Sequence, residues 1–168
     1  MRILRNGKAL AICLAMIAGS AWADGDGGFV GQLAGSAVGE HVAGVASGGA
    51  PWTVAKSEFS VSPSGRIEVE IRRLLISSGP ATNTVGPVTM VSASLTCNDV
   101  VAGATAAVPL STAGDAAIHD TVTVPARCIA PALLIRIAAT TAGPVANGPF
   151  IAVNAVVGGG KGDGGRDQ

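Results

Sequence analysis

The sequence predicts an all-β chain, a small antiparallel β-sandwich of about seven strands with one disulfide. Two observations carry that prediction: apolar residues recur with the two-residue period of strands, and turn signals punctuate them at short intervals. A third, the placement of two cysteines, ties the strands together. In VTMVSASLTCN, Val91, Ala93, Leu95 and Cys97 fall on one face, with Ser92, Ser94, Thr96 and Asn98 on the other. In TVTVPARC the same count sets Val122, Val124, Ala126 and Cys128 against Thr121 and Thr123. Both thiols therefore point to the apolar side.

The first 23 residues read as a secretory signal peptide: Arg2, Arg5 and Lys8 form a basic start, Ala9 to Ala18 an apolar stretch, and Ala21-Trp22-Ala23 a cleavage site. That apolar run is about half the roughly 20 residues needed to span a bilayer, so no transmembrane span is expected. Removing 23 of 168 residues leaves 145, a length that suits one domain. Of the eleven basic residues three leave with the leader, so eight face eleven acidic ones and the exported chain is near −3. Such a balance without clustered Lys and Arg disfavours nucleic acid as a partner. Of the three cysteines Cys13 leaves, and an even pair in an exported chain is expected to be bridged.

Residues 24–50 form a Gly/Ala-rich lead-in, expected to be a flexible linker with at most transient helix. Gly27, Gly31, Gly35 and Gly39 recur every fourth residue, with Ala43 continuing the step. Small-xxx-small spacing lets helices pack closely in membranes, but each helical Gly costs about 1 kcal/mol relative to Ala. The sandwich domain is expected over residues 51–157. Its first strand runs from Trp52 to Val61, with Ala55, Ser57, Phe59 and Val61 inward. Ser62-Pro63-Ser64-Gly65 is a turn. From Arg66 to Ile76 the alternation is clearest: Ile67, Val69 and Ile71 inward, Glu68, Glu70 and Arg72 outward. Arg73 breaks that parity, which predicts a bulge near Arg72–Arg73.

A loop from Ser77 to Pro87 leads into a strand over Val88–Asn98 and a tight turn at Asn98-Asp99. Val100 to Leu110 is a weak strand of small residues, Ala117 to Val124 the next, and Leu133 to Ala138 another. A Gly/Pro loop over Ala142–Pro149 precedes the closing strand, Phe150 to Val157. Residues 158–168, GGGKGDGGRDQ, cannot bury apolar surface and are expected to be a disordered tail. The pattern gives the sandwich an immunoglobulin-like character. If the strands ending at Cys97 and Cys128 flanked the Val100–Leu110 strand, they would lie about 9.6 Å apart. A disulfide needs Cα atoms within about 7 Å. The two segments must then face each other across sheets, or the Ala126–Cys128 segment must tuck beneath the middle strand.

Catalytic chemistry is poorly represented. The chain has two histidines, His41 and His119, and no HExxH or His-x-His pair, so zinc and copper readings lack ligands and no cofactor is called for. His119-Asp120 could supply half of a hydrolytic triad, but no G-x-S-x-G elbow accompanies it. Asp120 reads better as a capping or edge residue. Glu68 and Glu70 share a strand face without an aromatic platform for a sugar. Arg72 and Arg73 could hold an anion, though the two glutamates nearby favour mutual solvation. The face of Ser92, Ser94 and Thr96 reads as a wet sheet surface.

The Pro51-Trp52 start, the Gly-Arg-Ile-Glu-Val-Glu strand, the Val91–Cys97 strand, Pro125-Ala126-Arg127-Cys128 and the closing Pro-Phe-Ile-Ala-Val run together resemble secreted bacterial immunoglobulin-like β-sandwich proteins of uncharacterised activity. The resemblance covers residues 51–157 and implies a sandwich with one disulfide, without an activity to assign to any residue. The expected function is a non-catalytic binding or surface-structural module. It would be secreted, periplasmic or on the cell surface, with an envelope or extracellular component as partner. The alternatives are a hydrolase-like enzyme around His119 and Asp120, and a membrane-active or self-associating protein acting through the Gly27–Ala43 repeat.

Overall fold

Ile67, Val69 and Ile71 alternate with Glu68, Glu70 and Arg72, and the apolar set has no exposure to solvent. That alternation anchors one face of a two-sheet sandwich. The computed structural model describes residues 28–154; the expected leader, the tail and residues 155–157 lie outside the described residues. Every regular element in the described chain is a strand. They are β1 (Phe29–Gly31), β2 (Leu33–Gly35), β3 (His41–Val42), β4 (Val45–Ala46), β5 (Trp52–Val61), β6 (Arg66–Ile76) and β7 (Val88–Cys97). Next come β8 (Val100–Ala104), β9 (Val108–Pro109), β10 (Ala116–Thr121), β11 (Ala132–Thr140), β12 (Gly143–Pro144) and β13 (Phe150–Asn154).

Sheet one has the order β1-β5-β6-β10 and sheet two the order β2-β13-β11-β7-β8, with β9 along β7 and β12 along β11. The named pairings are all antiparallel. The core between the sheets joins Ile67, Val69, Ile71 and Ile118 of sheet one to Val91, Ala93, Leu95, Leu133, Ile135 and Ile151 of sheet two, each buried.

The flexible lead-in expected over residues 24–50 is corrected from Gly28 onward, residues 24–27 lying outside the described residues. Phe29–Gly35 is one extended segment that passes from sheet one to sheet two. Phe29, Val30 and Gly31 pair with Val61, Ser60 and Phe59, and Leu33, Ala34 and Gly35 pair with Asn154, Val153 and Ala152. Leu33 enters the main core, and the Phe29 ring meets Phe59 edge-on at 5.4 Å. Two glycines of the repeat, Gly31 and Gly35, are therefore used within the sandwich. A Cβ on Gly35 would lie 2.1 Å from the Trp52 carbonyl oxygen, and one on Gly31 3.1 Å from the Phe59 ring. Backbone proximity in a sheet, not helix packing, is what these two small residues allow.

The hairpin of β3 and β4 turns through Ala43 and Gly44, both at positive φ, and lies on the outer face of sheet two. There Val45 packs with Leu134 and Phe150 in a second apolar cluster. Sheet two is thus covered on both sides near its centre. The expected wet face is corrected accordingly: Ser94 and Thr96 are buried and Ser92 is half-buried.

Strands β5 and β6 occupy the predicted spans, and the bulge falls where the parity broke. Ala116 pairs with Ile71, but the Leu74 N–H donates to Gly114 O, so Arg72 and Arg73 together oppose Asp115. Arg73 sits at φ 55°. The β5–β6 ladder runs through in register, so the face change passes to β5, and Ala55 is exposed instead of inward. Asn98 and Asp99 form the predicted tight turn with φ of 54° and 61°, the left-handed pair that a two-residue hairpin of type I′ requires. The weak strand over Val100–Leu110 is interrupted at residues 105–107, where Thr105 Oγ1 accepts the Ala93 N–H at 3.0 Å.

Cys97 and Cys128 are bridged, with Cα atoms 4.9 Å apart and both residues buried. The premise that Cys128, like Cys97, ends a strand is corrected. Strand β10 stops at Thr121 and belongs to sheet one, and Cys128 lies in the connection that returns to sheet two. That connection runs beside β7 on the β11 side: the Asn98 N–H donates to Ile129 O, and the Asn98 side chain bonds Arg127 O and Ile129 N at 3.0 Å each.

Candidate functional site

The outer face of sheet one collects four of the polar residues weighed in the sequence: Glu68, Glu70, Arg72 and His119. Alternation sends Lys56, Glu58 and Ser60 outward from β5, Glu68, Glu70 and Arg72 from β6, and His119 from β10. Cross-strand register then sets like against like. Lys56 is the partner of Arg72, and Glu58 of Glu70. Glu68 lies between Ser60 on one side and His119 on the other.

The resulting contacts run mostly along each strand. Lys56 Nζ stands 3.6 Å from Glu58 Oε1, Arg66 NH1 3.7 Å from Glu68 Oε1, and Arg72 NH2 3.9 Å from Glu70 Oε2. Arg72 also reaches Asp115 Oδ2 at 3.6 Å, and His119 Nε2 lies 3.6 Å from Glu70 Oε1. These side chains are well exposed apart from Asp115, so each contact contributes little on its own. Two shallow depressions of about 260 and 320 Å³ lie over the acidic residues and over the Lys56–Arg72 end.

The alternative hydrolytic pair, His119 with Asp120, does not assemble, and Asp120 acts as the capping residue the sequence favoured. The Asp120 carboxylate accepts the Ala106 and Thr121 N–H groups, each at 2.7 Å, and these bonds hold its carboxyl below the usual range. Its work is to fasten the break between β8 and β9 to β10. His119 turns instead to Glu70 on the outer face. Of the paired arginines, Arg72 is engaged by Glu70 and Asp115, and the Arg73 backbone N–H donates to Asp115 Oδ1 at 3.0 Å. His41 lies in the lead-in, with Nδ1 3.3 Å from Gly39 O. Among the described residues no group of three or more His, Cys, Asp or Glu side chains is arranged to hold a metal ion, and no helix is long and apolar enough to cross a membrane.

One residue escaped sequence reasoning. Arg136 sits in Leu-Leu-Ile-Arg-Ile-Ala, where a charge amid apolar neighbours was the available signal. It is 9% exposed, its Nε donates to Gly148 O at 2.7 Å, and burial lowers the pKa of its guanidinium.

The fold and its bridge define an all-β sandwich with a single disulfide. No family model matches the chain, and neither does any curated protein or solved structure.

Proposed function

We propose that the chain is an exported, non-catalytic binding or surface-structural module of immunoglobulin-like architecture, and that the outer face of sheet one meets its partner. The observation that carries this reading is the register of that face. Like charges directly opposite one another destabilise a sheet. Here Lys56 faces Arg72 and Glu58 faces Glu70 in adjacent rows. The cost is small in water, and the segregated rows offer a partner a basic band beside an acidic one. Export is supported by the leader read in residues 1–23 and by the disulfide, since such bridges persist in oxidising compartments. The immunoglobulin-like reading is supported by strand order: β5-β6-β10 stands against β13-β11-β7-β8, as strands A-B-E stand against G-F-C-C′.

The test is binding of the purified protein to cell-envelope preparations at low and high salt. Glu58→Lys with Glu70→Lys should abolish salt-sensitive binding while leaving the melting temperature within a few degrees. Binding that survives both the charge reversal and high salt would overturn the assignment of this face.

A further inference from the structure

Arg136 carries a second inference, on the opposite sheet and independent of the charged face. The residue lies on β11 between β7 and β13, in register with Ser92 and Phe150. Among the described residues its guanidinium makes one hydrogen bond, to the Gly148 carbonyl, and no carboxylate stands within ion-pair distance. The side chain lines an open groove of about 550 Å³, the size of many small-ligand sites. Ala43–Ala46 of the β3–β4 hairpin form one wall, and Val101, Asn147 and Pro149 complete it.

A guanidinium has five N–H donors in a planar fork, and one neutral carbonyl engages a single one. Most of the Arg136 side chain is buried, while its unbonded nitrogens open onto the groove. Partial loss of water is costly to a charge that no opposite charge answers. A neutral side chain could bond the Gly148 carbonyl without that cost. The unanswered part is a two-donor edge, which matches a carboxylate. One cation stands among walls of alanine, valine and proline, so the groove suits a single negative charge on an apolar chain better than a phosphate dianion.

We propose that this groove binds a carboxylate flanked by small aliphatic groups, as at the C-terminus of an extended peptide. The carboxylate takes the free edge of Arg136, and the aliphatic side chains rest against Val45 and Val101.

The experiment is calorimetric titration of the purified protein with N-acetyl-Val-Val as the free acid, and with the same dipeptide as its C-terminal amide. The acid should bind saturably and the amide at least tenfold more weakly. Arg136→Lys, which keeps the charge but loses the fork, should weaken the acid about tenfold. Val101→Glu, on a partly exposed rim residue with no core role, should abolish binding while leaving the melting temperature near that of the parent. Equal binding of acid and amide, or no saturable binding of the acid, would overturn the proposal and leave Arg136 as a tie on the Gly148 loop. Inorganic phosphate competing as well as the acid would overturn the carboxylate assignment. A concentration-dependent dimer dispersed by Val101→Glu would replace the peptide with a second copy of the chain.

Discussion

Ser57 holds both backbone polar groups of Leu33: its hydroxyl accepts the Leu33 N–H at 2.8 Å and donates to the Leu33 carbonyl at 3.3 Å. Leu33 is where the first extended segment joins sheet two after leaving sheet one. A strand changing sheets leaves ladder groups unpaired inside the sandwich, and a buried serine on β5 is short enough to reach them. Ser57→Ala should therefore cost about 1–3 kcal/mol, the penalty for stranding buried donors and acceptors. Urea unfolding of the parent and variant measures it. A difference below about 0.5 kcal/mol, the range of ordinary surface substitutions, would show that the hydroxyl is not what satisfies the crossing.

The disulfide closes a loop across 31 residues of separation, for which chain entropy assigns a stabilisation of about 3–4 kcal/mol. Both cysteines are buried, so the paired replacement Cys97→Ala and Cys128→Ala should lose most of that without leaving a polar group stranded. Thiol titration of a denatured, unreduced chain starting at Asp24, which lacks Cys13, should find no free thiol. Two free thiols per chain would refute the bridge.

What was legible in the sequence was local. Ile67, Val69 and Ile71 announce their face through period alone, Arg73 marks the break, and Asn98-Asp99 marks the hairpin because few residues tolerate two positive φ values in a row. What stayed hidden depends on partners distant along the chain. Alternation in residues 116–124 cannot say which sheet receives them, and β10 pairs with β6, leaving Cys128 in a connection. Ser94 and Thr96 read as wet because a polar face is usually solvated; sheet two is covered on that side near its centre by a hairpin from residues 41–46. The repeat at Gly31 and Gly35 reads as flexibility until β5 lies against it. Arg136 gives no periodic signal, since one charge in an apolar strand is compatible with an edge, a bulge or a site.

Asp120 gives the fold an acid-sensitive contact. Its carboxyl is held below the ordinary value of 3.8, first by the Ala106 N–H and then by that of Thr121. A depressed folded pKa stabilises the protein above the unfolded value, and that contribution is lost as pH falls through the folded value. Unfolding free energy of the parent and Asp120→Asn should differ by a constant amount near neutral pH. The gap should then narrow on acidification from about pH 4 downward. A gap that persists unchanged to roughly pH 2 would mean that the carboxylate's charge is not what these bonds depend on.

Removing residues before Ala50 should unfold the domain. The seven strands that alternation marks after that point look like a complete set, beside which a flexible lead-in would be dispensable. The structure argues the reverse, because the segment gives an edge strand to each sheet and a lid to sheet two. Its loss uncovers the β5 and β13 edges, strips Leu33 from the main core, and removes Val45 from Leu134 and Phe150. Losing one buried leucine side chain typically costs about 2–5 kcal/mol, against a total stability of about 5–15 kcal/mol for a domain. The bare edges also invite pairing between chains. A chain beginning at Ala50 should lose its cooperative melt by circular dichroism and elute as aggregate. Gly35→Ala, which forces a methyl group against the Trp52 carbonyl, should lower the melting temperature in the full chain without abolishing the transition. A truncated chain that melts within a few degrees of its parent would show that the first strands only decorate the sandwich.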